Sequence, residues 1–132
     1  MNKSLNITAT KAIASAIFHD IYPDIFSAFD KYDIPIETER NLIPDAYYMI
    51  YFRIFLEPTT PQISIKVTRD GKIEIGSCWD QTNFIDMVEK EVKIQDPDFI
   101  EKSREVVYEL LLKILNKRNK RMAKLIENAL GQ

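Results

Sequence analysis

Ten consecutive residues, Tyr47 to Leu56, are dense in aromatic and β-branched side chains and contain no glycine or proline. This is the composition of an extended strand, whose side chains alternate between two faces. One face is wholly apolar, with Ile50, Phe52, Ile54 and Leu56, and is assigned to the main core. The other carries Tyr47, Met49, Tyr51, Arg53 and Phe55. That second face must be covered by a helix, form a contact surface or line a ligand site.

Two further strands follow. Ile63, Ile65 and Val67 alternate with polar residues, as do Ile73 and Ile75. A two-residue turn at Asp70-Gly71 would set Val67 opposite Glu74 and mix the faces. A three-residue loop, Arg69-Asp70-Gly71, instead aligns Val67 with Ile73, Ile65 with Ile75 and Lys66 with Glu74, with Gly71 in the left-handed conformation of a bulge.

Helices flank these strands. From Thr10, Ile13, Ile17, Ile21, Ile25 and Phe29 recur every four residues, the stripe of an amphipathic helix. Pro23 lies inside it and predicts a kink or a split. Asp33 to Asp45, with Pro35 and Pro44, reads as a connection, and a fourth short strand between Ile34 and Ile43 is the alternative. A short helix fits Gln81 to Lys93, with Phe84, Ile85, Val88 and Val92 near one face and Asp80 as its cap. Asp96-Pro97 signals the start of a third helix.

The expected architecture is therefore one α+β domain over residues 1–132. It is a three-stranded antiparallel β-meander packed against helices in the order α-β-β-β-α-α. The last helix, about residues 97–130, would be roughly 50 Å long if continuous, against a globule about 35 Å across. It either bends near residues 117–121 or projects Met122, Leu125, Ile126 and Leu130 towards a second chain, which motivates a homodimer.

Several function classes fall away. The longest apolar run, Ala46 to Phe52, is far below the roughly 20 residues of a membrane span. The N-terminus lacks a signal-like apolar stretch and Cys78 has no partner for an internal disulfide, so a cytoplasmic location is expected. One histidine and one cysteine cannot assemble a structural zinc site, and three glycines cannot spell a nucleotide-binding loop. No cofactor or metal is assigned. His19-Asp20 does not make an acid–base pair, because helical neighbours point about 100° apart. Cys78 reads as a small buried residue beside Trp79, since no base adjoins it in sequence.

Pro44-Asp45 with Asp70-Gly71-Lys72 is similar to the short acidic signature of restriction-endonuclease-like nucleases. That resemblance implies two carboxylates holding a divalent metal and a lysine assisting water. It departs from the family pattern because Asp70 and Lys72 flank a hairpin turn. A helix, three strands and a helix also follow one another in double-stranded RNA-binding domains, but here the later helix opens with Asp96 and Asp98 where RNA contact would want lysine.

Charge is distributed unevenly. Residues 1–100 carry 10 basic and 16 acidic side chains, whereas residues 101–132 carry 8 and 4. Lys113, Lys117, Arg118, Lys120, Arg121 and Lys124 form the densest basic cluster, a candidate contact for a partner or nucleic acid. Basic residues near a helix C-terminus also simply complement its dipole. Tyr47, Tyr51, Arg53 and Phe55 are a candidate interface, with the composition favoured at protein contacts. The expected function is thus a non-enzymatic interaction protein, working with a protein partner or as a homodimer. Nucleic-acid binding through the C-terminal helix is the alternative, and a metal-dependent nuclease a further one.

Overall fold

The structure is a computed structural model that describes residues 4–80, 83 and 86–131. Helix α1 (Ile7–Asp30) precedes a five-stranded antiparallel meander, β1 (Ile36–Ile43), β2 (Tyr47–Ile54), β3 (Gln62–Thr68), β4 (Lys72–Cys78) and β5 (Val88–Lys93). Helices α2 (Phe99–Arg118) and α3 (Lys120–Ala129) complete the chain. Strand order in the sheet follows the sequence, β1-β2-β3-β4-β5. Among the described residues no helix is long and apolar enough to cross a membrane.

The α+β class is as expected, but the sheet has five strands rather than three. β1 occupies the segment of the alternative fourth strand, and its IETERNLI composition hides it. It is an edge strand whose residues are exposed or half-buried, so no apolar alternation marks it. β5 replaces part of the short helix expected over Gln81 to Lys93. Val88 and Val92 are four residues apart, a spacing that keeps side chains on one side of a strand as well as of a helix. Phe84 and Ile85 lie outside the described residues.

The β3–β4 hairpin has the expected register, with Val67 opposite Ile73, Lys66 opposite Glu74 and Ile65 opposite Ile75. Gly71 adopts φ +91° and donates its N–H to the Thr68 carbonyl at 3.1 Å. The left-handed conformation is cheap only for a residue without a Cβ.

All three helices lie on the same side of the sheet. α1 packs on β2 and β3, α2 packs on β4 and β5, and α3 lies against α2 and, less extensively, α1. Ile17, Ile21, Ile25 and Phe29 of α1 are fully buried, as are Ile50, Phe52, Ile54, Ile63, Ile65, Ile73 and Ile75 of the sheet. Each such side chain is worth about 1.5–3 kcal/mol of burial. Arg104 of α2 donates to Asp20 of α1 at 3.0 Å and ties the two helices together. Pro23 does not split α1; it and His19, whose carbonyl loses its helical donor, are both exposed, so water can solvate the freed oxygen.

The C-terminal segment breaks at Asn119, whose extended backbone (φ −152°, ψ 88°) ends α2 and whose side chain caps α3 by accepting from the Met122 N–H at 2.9 Å. α2 starts at Phe99, two residues after Pro97, and Asp96 and Asp98 instead hold Lys102 at 3.1 and 3.6 Å. Because α3 turns back, Ile126 is fully buried and Met122, Leu125 and Leu130 are partly covered by their own chain. The apolar side chains on which the homodimer expectation rests are used within the monomer.

Two substitutions probe this packing. Ile126→Ala is expected to destabilise by about 2–4 kcal/mol through the cavity it leaves, measured by urea denaturation; a loss under about 1 kcal/mol would mean that α3 is not docked. The Ser103 hydroxyl is fully buried in α2 without a hydrogen-bond partner among the described residues. Ser103→Ala is therefore expected to raise stability by about 1 kcal/mol, seen as a higher midpoint in the same titration.

Candidate functional site

Among the described residues the one-sided layering leaves the other sheet face free of helices. Strand register arranges its side chains in rows. Glu37, Arg53, Gln62 and Cys78 form one row, and Glu39, Tyr51, Ser64, Gly76 and Glu89 the next. Asn41, Met49, Lys66, Glu74 and Glu91 form a third, and Ile43, Tyr47 and Thr68 begin a fourth. Tyr47, Met49, Tyr51 and Arg53 are half-buried by their neighbours in these rows. Of the expected interface, Tyr47, Tyr51 and Arg53 thus share this surface, while Phe55 lies just beyond β2 and is 41% exposed. Trp79 packs at the core margin.

Polar contacts hold the first two rows rigid. The Tyr51 hydroxyl donates to Glu39 Oε2 at 2.6 Å, and Arg53 reaches both Glu39 oxygens, at 3.1 and 3.2 Å, and Glu37 at 3.4 Å. The Arg53 guanidinium also lies 5.3 Å from the Tyr51 ring centroid. The hydrogen bond from Tyr51, helped by Arg53, holds the Glu39 carboxyl below its usual range, and the same bond pushes the Tyr51 hydroxyl up.

In the third row Lys66 sits 3.9 Å from Glu74, 3.8 Å from Glu89 and 5.2 Å from the Tyr47 ring centroid. The Glu74 carboxyl is pushed up, first by its carboxylate neighbour Glu89 and then by burial, although Lys66 opposes the shift. Beside these residues a cleft of about 310 Å³ opens over β3, β4 and β5, lined by Gln62, Ser64, Gly76, Cys78, Met87 and Glu89 among others. Gly76 makes room for its floor, since a Cβ there would stand 2.9 Å from Ser64 Oγ. Cys78 is 6% exposed and burial pushes its thiol up, which disfavours the thiolate that nucleophilic chemistry needs.

The other candidates lie on α1 and at the turns of the sheet. His19 is exposed on α1, and Asp20 beside it is engaged by Arg104. Asp70 and Lys72 face each other across the hairpin turn at 3.9 Å, both more than half exposed. Arg69 bridges that turn to the β1–β2 turn containing Asp45, donating from Nη1 to the Pro44 carbonyl at 3.3 Å. Among the described residues no group of three or more His, Cys, Asp or Glu is placed to hold a metal ion.

The basic cluster is divided by the break at Asn119. Lys117 and Arg118, in the last turn of α2, pair with Asp86 at 3.4 and 2.9 Å. Lys113, Lys120 and Lys124 instead line a groove between α2 and α3, and Arg121 is exposed on α3. No family model, curated protein or solved structure matches this chain.

The shift at Glu74 has a readable consequence. The folded state holds its proton more tightly than the unfolded chain does, so its contribution to stability is greatest in acid and declines as pH rises through the raised value. Glu39 behaves oppositely, contributing above the ordinary carboxylate range and losing its contribution as pH falls. Denaturant titrations across acid pH are expected to show the first slope in the intact protein and its loss in Glu74→Gln; identical profiles would show that Glu74 is not raised by Glu89.

Proposed function

We propose that this chain is a non-enzymatic interaction protein that engages a protein partner through its helix-free sheet face. The observation that carries this reading is the placement of Tyr47, Met49, Tyr51 and Arg53, half-buried and central, on the sheet face that no helix among the described residues covers. An antiparallel sheet can leave one face to water, but such a face is ordinarily polar. Large aromatic, methionine and arginine side chains are the types that anchor protein contacts. Their mutual bonding, Tyr51 to Glu39 and Arg53 to Glu37 and Glu39, means that little side-chain freedom remains to be lost on docking.

The rim states the partner's chemistry. Glu37 and Glu39 stand on the β1 side and Glu89 and Glu91 on the β5 side, with Glu74 between, against Arg53 and Lys66 in the same rows. A complementary surface has an apolar centre flanked by lysine or arginine. In a second copy those glutamates outnumber Arg53 and Lys66, so self-docking would leave most of them facing like charge, which favours a different protein at this face.

Photo-crosslinking in the producing cells tests the proposal. A benzophenone side chain at Tyr47 or Met49 is expected to give a discrete heavier adduct that the same group at Lys11, exposed on α1, does not. Adducts from all three positions alike, or from none, would remove the sheet face from consideration.

A further inference from the structure

We infer that the groove between α2 and α3 is a contact site for the phosphate backbone of double-stranded nucleic acid. The groove measures about 340 Å³, and Lys113 and Asn116 of α2 line it opposite Lys120 and Lys124 of α3. A continuous helix would spread these lysines along one stripe with Lys117. The break at Asn119 instead gathers three of them around one concavity and turns Lys117 and Arg118 to a separate role.

The division separates the cations that Asp86 holds from those that line the groove. Lys117 and Arg118 lie in the last turn of α2, where the helix dipole favours positive charge, and both are paired with Asp86. Lys120 and Arg121 occupy the first turn of α3, which contains no acidic residue, where the dipole disfavours positive charge. Among the described residues Lys113, Lys120 and Arg121 have no carboxylate partner, and Lys124 shares the groove with Glu127 at 3.4 Å. Helix stability therefore does not account for them, whereas a bound anion would relieve their mutual repulsion.

The remaining lining sets the ligand class. Leu112 and Ala123 are apolar, and among the described residues no aromatic side chain lines the groove to supply the stacking that holds single-stranded bases. Cations spaced on two rigid helices suit the regularly spaced phosphates of a duplex, read as charge without regard to sequence. The site lies in the helix layer, away from the open sheet face, so it stands independently of the proposal for that face.

Fluorescence anisotropy with a labelled duplex of about 16 base pairs tests the inference. The intact protein is expected to bind with Kd on the order of 10–100 µM at about 50 mM salt, with log K falling against log salt at a slope of about −3 for three phosphates. Lys113→Gln, Lys120→Gln and Lys124→Gln together are expected to weaken binding by at least about tenfold and to flatten that slope, with the circular dichroism spectrum unchanged. Lys117→Gln with Arg118→Gln should change affinity by less than about threefold, because both side chains are turned to Asp86 and neither lines the groove. Absence of binding by the intact protein at low salt would overturn the site, as would equal losses in the two variants. Binding of inorganic pyrophosphate or of a labelled single strand in preference to the duplex would overturn the assignment to duplex backbone.

Discussion

Ile50, Phe52, Ile63, Ile65, Ile73 and Ile75 project from one side of three neighbouring strands into the same core as Ile17, Ile21 and Ile25 of α1 and Leu111 and Leu115 of α2. Removing this layer from water is the interaction on which everything else depends, because a sheet with one apolar face cannot stay open to solvent. Once the helices take that side, strand alternation sends Tyr47, Met49, Tyr51 and Arg53 to the other. The proposed docking surface is thus a geometric by-product of the core, and its chemical character is what needs a functional explanation.

Where apolar alternation was strong, the sequence was readable. β2, β3 and β4 and the three-residue loop between the last two follow from matching Val67 with Ile73 and Ile65 with Ile75. The stripe from Ile17 to Phe29 likewise declares α1. The two edge strands were harder for opposite reasons. β1 has little burial to imprint a pattern, and β5 carries its two valines at a spacing common to both regular structures.

The candidate sites divide in the same way. The mixed face of β2 was legible because alternation alone groups its residues, but whether a helix covers it depends on tertiary packing that local periodicity does not encode. The partners of Arg53 and Tyr51 were hidden because Glu37 and Glu39 belong to the strand that composition conceals. The six-residue basic cluster was visible as charge, yet its split into an Asp86-paired half and a groove-lining half depends on a single backbone conformation at Asn119. Asp86 itself adopts φ 58°, which aspartate tolerates better than most residues, and no charge count signals that it meets Arg118.

The weak apolar burial of β1 has a mechanical consequence. This strand is fastened by its backbone ladder to β2 and by side-chain contacts such as Tyr51–Glu39, Arg40–Tyr48 and the Arg40 guanidinium over the Phe18 ring of α1. Peeling it away would forfeit hydrogen bonds but little buried hydrocarbon, so its amides belong to the shallow end of the protein's opening hierarchy. Detachment would also bare the ladder groups of β2, leaving the strand that carries the aromatic anchors as a fresh edge able to accept an incoming strand.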